Sequence, residues 1–338
     1  MNPPELSVVI PVYNEETGLP LLFERLYPAL DALGLRYEVI FVDDGSSDGS
    51  AALLRGQFQQ RPECTRVILL AGNFGQHMAI MAGFERCRGQ IVVTLDADLQ
   101  NPPEEIARLV AAVRAGYDYV GSIRRRRQDA LFRRLASRLL NALRERTTRI
   151  RMSDQGCMLR AYHRHVVDAI NRCREANTFI PALAYLFARR PTEIEVAHDA
   201  RQAGTTKYSL YKLIRLNFDL MTGFSLLPLQ MFSLLGMLVA LGAAAAYVVL
   251  IMKRLLAGEL ERGVLSLFDR DIVEFFLIGM VLFGLGLLGE YVGRIYQEVR
   301  GRPRYLVEAV LEQLPCATDS APDASAAQPD TRRVQTGR

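Results

Sequence analysis

Four short, mostly apolar runs, at 6–12, 37–42, 66–70 and 90–95, each stop at a cluster of polar residues, with amphipathic stretches between them. This alternation leaves few folds open. Runs that are apolar throughout, not at every second position, belong to strands buried on both faces, and strand–helix–strand repeats with right-handed crossovers build a doubly wound, mostly parallel α/β sheet. The polar clusters are then the carboxyl ends of strands, where open α/β sheets bind ligands. Four such ends converge on one edge and bring together Glu15, Asp44, Asn73 with Gln76, and Asp96 with Asp98. Neither G-x-G-x-x-G nor a Walker loop is present, which argues against dinucleotide cofactors and P-loop phosphoryl transfer.

The fourth cluster reads T-L-D-A-D-L-Q-N-P-P-E-E over residues 94–105. Two carboxylates one residue apart at a strand end suit a hard divalent cation, Mg2+ or Mn2+, which takes a couple of protein oxygens and shares the rest of its shell with water and substrate phosphates. The ligand implied is a nucleoside diphosphate or a relative of one. A polar strand end in which an aspartate caps the next helix would look the same at this length.

Three segments carry a resemblance: S-V-V-I-P-V-Y-N-E, V-D-D-G-S-S-D-G-S and L-D-A-D-L-Q-N-P-P-E-E. They resemble the family 2 glycosyltransferases, in the branch that loads a sugar onto a polyprenyl phosphate. Further along, G-Q-H-M-A-I-M-A-G-F, Q-G-C-M-L-R-A-Y, T-F-I-P and G-R-I-Y-Q-E-V-R-G-R-P-R-Y are similar to members acting in lipid A modification. The resemblance implies a GT-A-like fold and inverting transfer from a UDP-sugar to undecaprenyl phosphate. The sugar it points to is 4-deoxy-4-formamido-L-arabinose, with glucose or another sugar of the same branch as the alternative. It implies a nucleotide pocket of Pro11, Tyr13, Glu15, Asp44 and Asp96, and metal ligation by Asp96, Asp98 and Gln100. Arg201 and Lys207 would hold the diphosphate. Arg124, Arg133 and Ser137 would hold the acceptor phosphate.

The chain also carries a membrane signature. No charged residue occurs from 220 to 252, and 231–252 is apolar enough to span a bilayer, which takes about 20 residues. A second candidate at 272–295 has Glu274 and Glu290 bracketing a short uncharged core, a length that little tilt or a thinned bilayer accommodates. Two buried helices of a large soluble core are the alternative. The expected organisation is a catalytic domain at 1–208, a juxtamembrane helix at 209–228 and transmembrane helices at 229–252 and 272–295 around a periplasmic loop at 253–271. A cytoplasmic segment at 296–314 and a disordered, Ala- and Pro-rich tail at 315–338 complete it. Lys207, Lys212 and Arg215 before the first span and Arg294, Arg300, Arg302 and Arg304 after the second place both termini in the cytoplasm by the positive-inside rule. The expected location is the bacterial inner membrane, where a homo-oligomer is compatible with this layout. Five cysteines without C-x-x-C spacing read as reduced thiols.

The formal charge of +4 is unevenly spread. Arg124 to Arg127 form a run, and beyond it Leu131, Leu135, Leu139 and Leu143 recur at helical spacing with Arg133, Arg134, Arg138, Arg144 and Arg146 on other faces. This basic amphipathic helix, at about 129–147, suits anionic lipid headgroups beside a lipid-phosphate site. A solvated charged face is the competing reading; nucleic acid is not expected, since no DNA- or RNA-binding module accompanies the charge. The cluster at 201–209, R-Q-A-G-T-T-K-Y-S, resembles the R-x-x-G-x-S-K loop of polyprenyl-phosphate transferases with Thr206 in place of Ser, and suits either a mobile lid over a diphosphate or a juxtamembrane anchor. His77 falls in the first turn of a helix, and Met158, Leu159 and Tyr162 read as core. Glu290 is either functional or the ion-pair partner of Arg294, one turn on.

Rival functions meet specific objections. A processive polysaccharide synthase of this fold carries Q-x-x-R-W, and the chain has no tryptophan. A transporter would need more than one helical hairpin and internal repeats. An inactive nucleotide-binding scaffold would more often have lost one of Asp96, Asp98, Arg201 or Lys207.

Overall fold

A computed structural model describes residues 3–124, 156–173, 179–197, 227–257 and 270–313. The first strand, β1 (Leu6–Val12), has the bounds the apolar run predicts. It is followed by α1 (Leu19–Asp31), β2 (Tyr37–Asp43), α2 (Ser50–Gln60), β3 (Thr65–Leu70), α3 (Gln76–Phe84), β4 (Ile91–Thr94), a 3-10 turn at Pro103–Glu105 and α4 (Ile106–Arg114). Then come β5 (Tyr119–Arg124), β6 (Arg160–His163), α5 (Arg164–Arg172), α6 (Ile180–Phe187) and β7 (Pro191–Val196). Two long helices, α7 (Leu227–Ala257) and α8 (Arg270–Val299), precede a last strand, β8 (Val307–Leu311).

The eight strands form one sheet in the order β7-β5-β6-β4-β1-β2-β3-β8. The pairs β1–β2, β1–β4, β2–β3 and β5–β7 are parallel, while β6 and β8 run antiparallel to their neighbours. The chain builds outward from β1 through β2 to β3, then returns to lay β4 on the other side of β1. The crevice between the ends of β1 and β4 is therefore the topological switch point, where a ligand fits between diverging loops. Because β6 is antiparallel to both β4 and β5, the carboxyl ends of β4, β5 and β7 share this edge with β1, β2 and β3.

Side-chain alternation explains the apolar runs. Leu6, Val8, Ile10 and Val12 pack with Leu19, Leu22, Leu26 and Leu30 of α1 and with α4 on one face. Val9, Ile40, Val42, Ile68 and Val92 pack with α3, α5 and α6 on the other. Both faces are covered, so no polar position recurs along these strands. Met158, Leu159 and Tyr162 lie buried in the core as expected. The fourth strand is shorter than its apolar run, because Leu95 leaves the sheet edge while its N–H still donates to the Val9 carbonyl at 3.1 Å.

The spans expected at 229–252 and 272–295 lie within α7 and α8. The Phe232 ring stands 5.5 Å from Phe283 and covers Gly284, which has no side chain to hold the helices apart. Met231, Leu234, Leu238, Leu241, Val281 and Leu282 are exposed. Among the described residues no helix is long and apolar enough to cross a membrane. The basic helix at about 129–147, the loop at 253–271 and the tail at 315–338 lie wholly or largely outside the described residues.

Candidate active site

The loops after β1 and β2 are stitched together by hydrogen bonds. Asn14 has a left-handed backbone (φ 55°), and its N–H donates to Ser46 Oγ at 3.0 Å while its Oδ1 accepts from the Ser47 N–H at 2.8 Å. The Glu15 N–H donates to Ser50 Oγ at 2.9 Å, the Glu16 N–H to Asp48 at 3.1 Å, and the Gly49 N–H to the Glu16 carboxylate at 3.0 Å. The left-handed geometry is one that asparagine tolerates better than most residues. Tyr13, 49% exposed, projects beside this rigid floor, and Pro11 sits one residue before the end of β1.

Asp44 lies at the end of β2, only 3% exposed. Its Oδ1 accepts from the Phe74 N–H and its Oδ2 from the Gly75 N–H, both at 2.8 Å. Burial pushes this carboxyl above the usual carboxylate range, and the two backbone bonds pull part of the way back. Burial also raises Asp43, whose Oδ1 is enclosed without a hydrogen-bond partner. The loop after β3 comes so close that a Cβ on Gly45 (φ 70°) would sit 2.7 Å from the Gly72 Cα, so only glycine fits there.

Asp96, Asp98 and Gln100 are partly exposed, while Ala97 and Leu99 between them are buried. The alternation turns the two carboxylates and the amide to the open edge. Leu99 is held at φ 58°, and Asp98 Oδ1 accepts from the Gln100 N–H at 3.1 Å, closing a tight turn. A left-handed leucine is strained, and such strain concentrates at ligand sites. Gln76, first residue of α3, donates from Nε2 to Asp96 Oδ1 at 2.6 Å. Glu15 faces the same turn: a side chain on Gly18 would meet the Glu15 carboxylate at 3.5 Å and the Ala97 carbonyl at 3.7 Å.

The structure thus brings Pro11, Tyr13, Glu15, Asp44, Asp96, Asp98 and Gln100 to one edge, around the switch point. Arg124 closes β5 on that edge, two strands from β4 and so roughly 10 Å away at ordinary strand spacing; its side chain is outside the described set. Arg133, Ser137, Arg201 and Lys207 lie outside the described residues. The strands that precede them in the chain, β5 and β7, end on the same edge.

Beneath the edge lies a feature that pattern reading missed. Arg160, fully buried, opens β6 opposite Thr94. Its Nε donates to the Cys157 carbonyl at 2.7 Å, and its guanidinium also donates to the Tyr119 hydroxyl. Thr94 Oγ1 donates to the Met158 carbonyl at 2.6 Å, tying residues 157–160 under the site. His77 is where expected, in the first turn of α3, its ring 5.2 Å from Phe179. Only the motif Q-G-C-M-L-R had marked the Arg160 region.

A hard oxygen donor set of two carboxylates and an amide at an open edge fits Mg2+ or Mn2+ and does not fit a thiolate- or imidazole-loving metal. Among the described residues no group of three or more His, Cys, Asp or Glu side chains is arranged to hold a metal ion.

The profile described as "Glycosyl transferase family 2" matches residues 7–170. An undecaprenyl-phosphate 4-deoxy-4-formamido-L-arabinose transferase of Serratia proteamaculans is 52% identical over 313 residues, 92% of this chain and 95% of that protein. Among solved structures, glucosyl-3-phosphoglycerate synthase from Mycobacterium tuberculosis with Mn2+, UDP-glucose and phosphoglyceric acid superimposes with a TM-score of 0.48 and 21% identity, over 65% of this chain and 78% of that one. A mannosyltransferase from Pyrobaculum calidifontis with GDP-mannose and Mn2+ gives 0.43 and 19%, over 69% and 64%.

Proposed function

The chain belongs to glycosyl transferase family 2, and from that premise we propose that it transfers 4-deoxy-4-formamido-L-arabinose from a UDP-sugar to undecaprenyl phosphate. The observation that carries this reading is the 52% identity along nearly the full length of a transferase with that donor and acceptor in its name. The placement of Asp96 and Asp98 at the switch point supports it independently. The biological role would be lipid A modification and resistance to cationic antimicrobial peptides such as polymyxin.

Pro11, Tyr13, Glu15 and Asp44 line the nucleotide pocket, with the exposed Tyr13 ring offering an aromatic face to a base. Asp96, Asp98 and Gln100 would hold the divalent cation, which when bound supplies positive charge against the leaving diphosphate. Arg201 and Lys207 neutralise the same diphosphate. Arg124, Arg133 and Ser137 hold the acceptor phosphate. A phosphate monoester carries about −1.5 to −2 charge at pH 7, so it needs no proton removed before it attacks. Its oxygen forms the bond to the anomeric carbon from the face opposite the nucleotide, and the bond to UDP breaks, with inversion. What the protein contributes is alignment of two anchored reactants, which lowers the entropic part of the barrier.

The acceptor is a lipid, and α7 and α8 suit it. The uncharged stretch from 220 to 252 and the exposed apolar side chains of both helices belong in a bilayer, not in water. The two helices form a hairpin with both chain ends cytoplasmic, beside the nucleotide-sugar pool. Incubating the purified protein with a panel of UDP-sugars and undecaprenyl phosphate tests the reading. Turnover confined to UDP-4-deoxy-4-formamido-L-arabinose supports it; preference for UDP-glucose replaces the sugar, and transfer to a soluble acceptor alone removes the lipid.

A further inference from the structure

We propose that Asp44 and Gln76 form a positioning relay that fixes the rotamer of Asp96, so that the D-D-G-S motif governs the cation site from the far side of the switch point. The inference rests on the metal-dependent transfer proposed above. Asp44 binds no cation in this scheme. Its two carboxylate oxygens hold the Phe74 and Gly75 N–H groups at 2.8 Å each, which sets the last turn of backbone before α3. Gly75 stands at φ 95°, a conformation L side chains rarely adopt, so the entry to α3 is defined by this glycine and by the buried carboxylate beneath it. The next residue is Gln76, and its amide nitrogen meets Asp96 Oδ1 at 2.6 Å across 20 positions of chain.

The chemistry follows from that bond. An aspartate at the end of a strand can rotate about χ1, and a cation ligand must be held within a narrow range of orientation to be useful. The Gln76 N–H occupies Oδ1 and orients the carboxylate plane, as an outer-shell partner orients a metal ligand. In this scheme Gln76 acts on the cation only through Asp96, so it is a positioning residue. Asp44 acts through it by holding the loop that carries it.

The test is a double-variant cycle read by Mn2+ affinity, measured by electron paramagnetic resonance of the full-length protein in detergent with UDP held at saturation for each variant. Gln76→Met keeps the length of the side chain and removes the N–H; outer-shell partners are worth about 10- to 100-fold in metal affinity, and a loss near the lower end is expected at this exposed position. Asp44→Asn replaces one acceptor oxygen by a donor that faces a backbone N–H, and is expected to weaken Mn2+ several-fold. Combined, the two should lose no more than the worse single variant, because they act in series. Independent, additive losses would overturn the relay, and so would wild-type Mn2+ affinity in either Gln76→Met or Asp44→Asn. Loss of UDP-sugar affinity without loss of Mn2+ affinity would also overturn it, by making Gln76 a substrate contact. Asp96→Asn separates this from failure of the underlying reading: if that variant binds Mn2+ normally, the cation site itself is misplaced.

Discussion

Arg66 and Glu312, 246 positions apart in the chain, meet at 2.6 Å. The same guanidinium holds Glu38 at 3.1 Å, where both side chains are almost wholly buried. Glu38 also accepts from Ser7 Oγ and from the Arg88 N–H, each at 2.6 Å. These contacts lie at the amino-terminal edge of the sheet, opposite the candidate site. They attach β8, the strand that follows the two long helices, to the catalytic sheet. The Ala71 N–H, donating to the Leu306 carbonyl at 2.9 Å, and Arg304, donating to the Cys173 carbonyl, add to the attachment.

Arg66→Met should therefore destabilise strongly, because it leaves Glu38 buried without its cation. Removing one partner of a buried pair costs about 3 to 5 kcal/mol. Glu312→Gln should cost about 1 kcal/mol or less, since Glu312 is more exposed and Arg66 keeps Glu38. Thermal unfolding of the detergent-solubilised protein distinguishes them; equal midpoints for the two variants would contradict this account.

Asp98→Asn should abolish transfer and leave the unfolding midpoint near wild type, because the side chain is at an open edge and carries little of the core. EDTA should stop the wild-type reaction, and either Mg2+ or Mn2+ should restore it. Near-normal turnover of Asp98→Asn with added metal would remove Asp98 from the site, and full activity in metal-free buffer would remove the metal.

Much of this was legible in the sequence, for reasons that differ by residue. The bounds of β1 follow from burial on both faces, which leaves an unbroken apolar run. Asp96 and Asp98 are legible because two carboxylates one residue apart follow directly on an apolar strand and so fall at its carboxyl end. The strands β6 and β8 are not legible in the same way. Arg160 opens β6, and a fully buried arginine runs against every apolar pattern. In β8, V-E-A-V-L gains its meaning only from β3, far away in the chain. The polar end of β2 is visible in sequence, but not that Asp44 spends both oxygens on the loop after β3; that depends on a left-handed glycine and a long-range contact.

Asp44→Ala should lower stability and UDP affinity together. The substitution leaves the Phe74 and Gly75 N–H groups, both half-buried, without their acceptor, at up to about 1 to 3 kcal/mol each. It also loosens the wall of the nucleotide pocket. Calorimetry with UDP beside thermal unfolding checks both; a lowered midpoint with unchanged UDP affinity would confine Asp44 to the loop and move the base contact elsewhere.

His77 supplies a pH dependence. Enclosure of the ring, and then the positive charge of Arg160, lower its pKa from 6.5 to about 4, and its Nδ1 is buried without a hydrogen-bond partner. The unfolded chain binds the proton more readily, so stability is full above pH 6.5 and falls as pH drops through the range from 6.5 to about 4. The slope from this one group reaches at most about 1.4 kcal/mol per pH unit. His77→Gln removes the proton site and should flatten that part of the profile. Identical acid profiles for the two proteins would show that His77 takes up its proton as readily in the folded chain as in the unfolded one.

The last expectation separates transfer to a lipid phosphate from every soluble-acceptor reading. Arg133 and Arg144 belong to the same predicted basic helix, but only Arg133, with Arg124 and Ser137, is assigned to the acceptor phosphate. Arg133→Ala should raise KM for undecaprenyl phosphate or lower kcat while leaving UDP affinity unchanged. Losing a hydrogen bond to a charged group costs about 1.5 to 3 kcal/mol, so kcat/KM should fall about 10- to 100-fold. Arg144→Ala removes only attraction to anionic headgroups, worth about 1 kcal/mol of membrane affinity. With both variants in one detergent and a short-chain polyprenyl phosphate as acceptor, headgroup attraction drops out and the phosphate contact remains. Equal losses would reduce the helix to a membrane anchor and shift the acceptor site to other basic residues, Arg124 at the end of β5 among them.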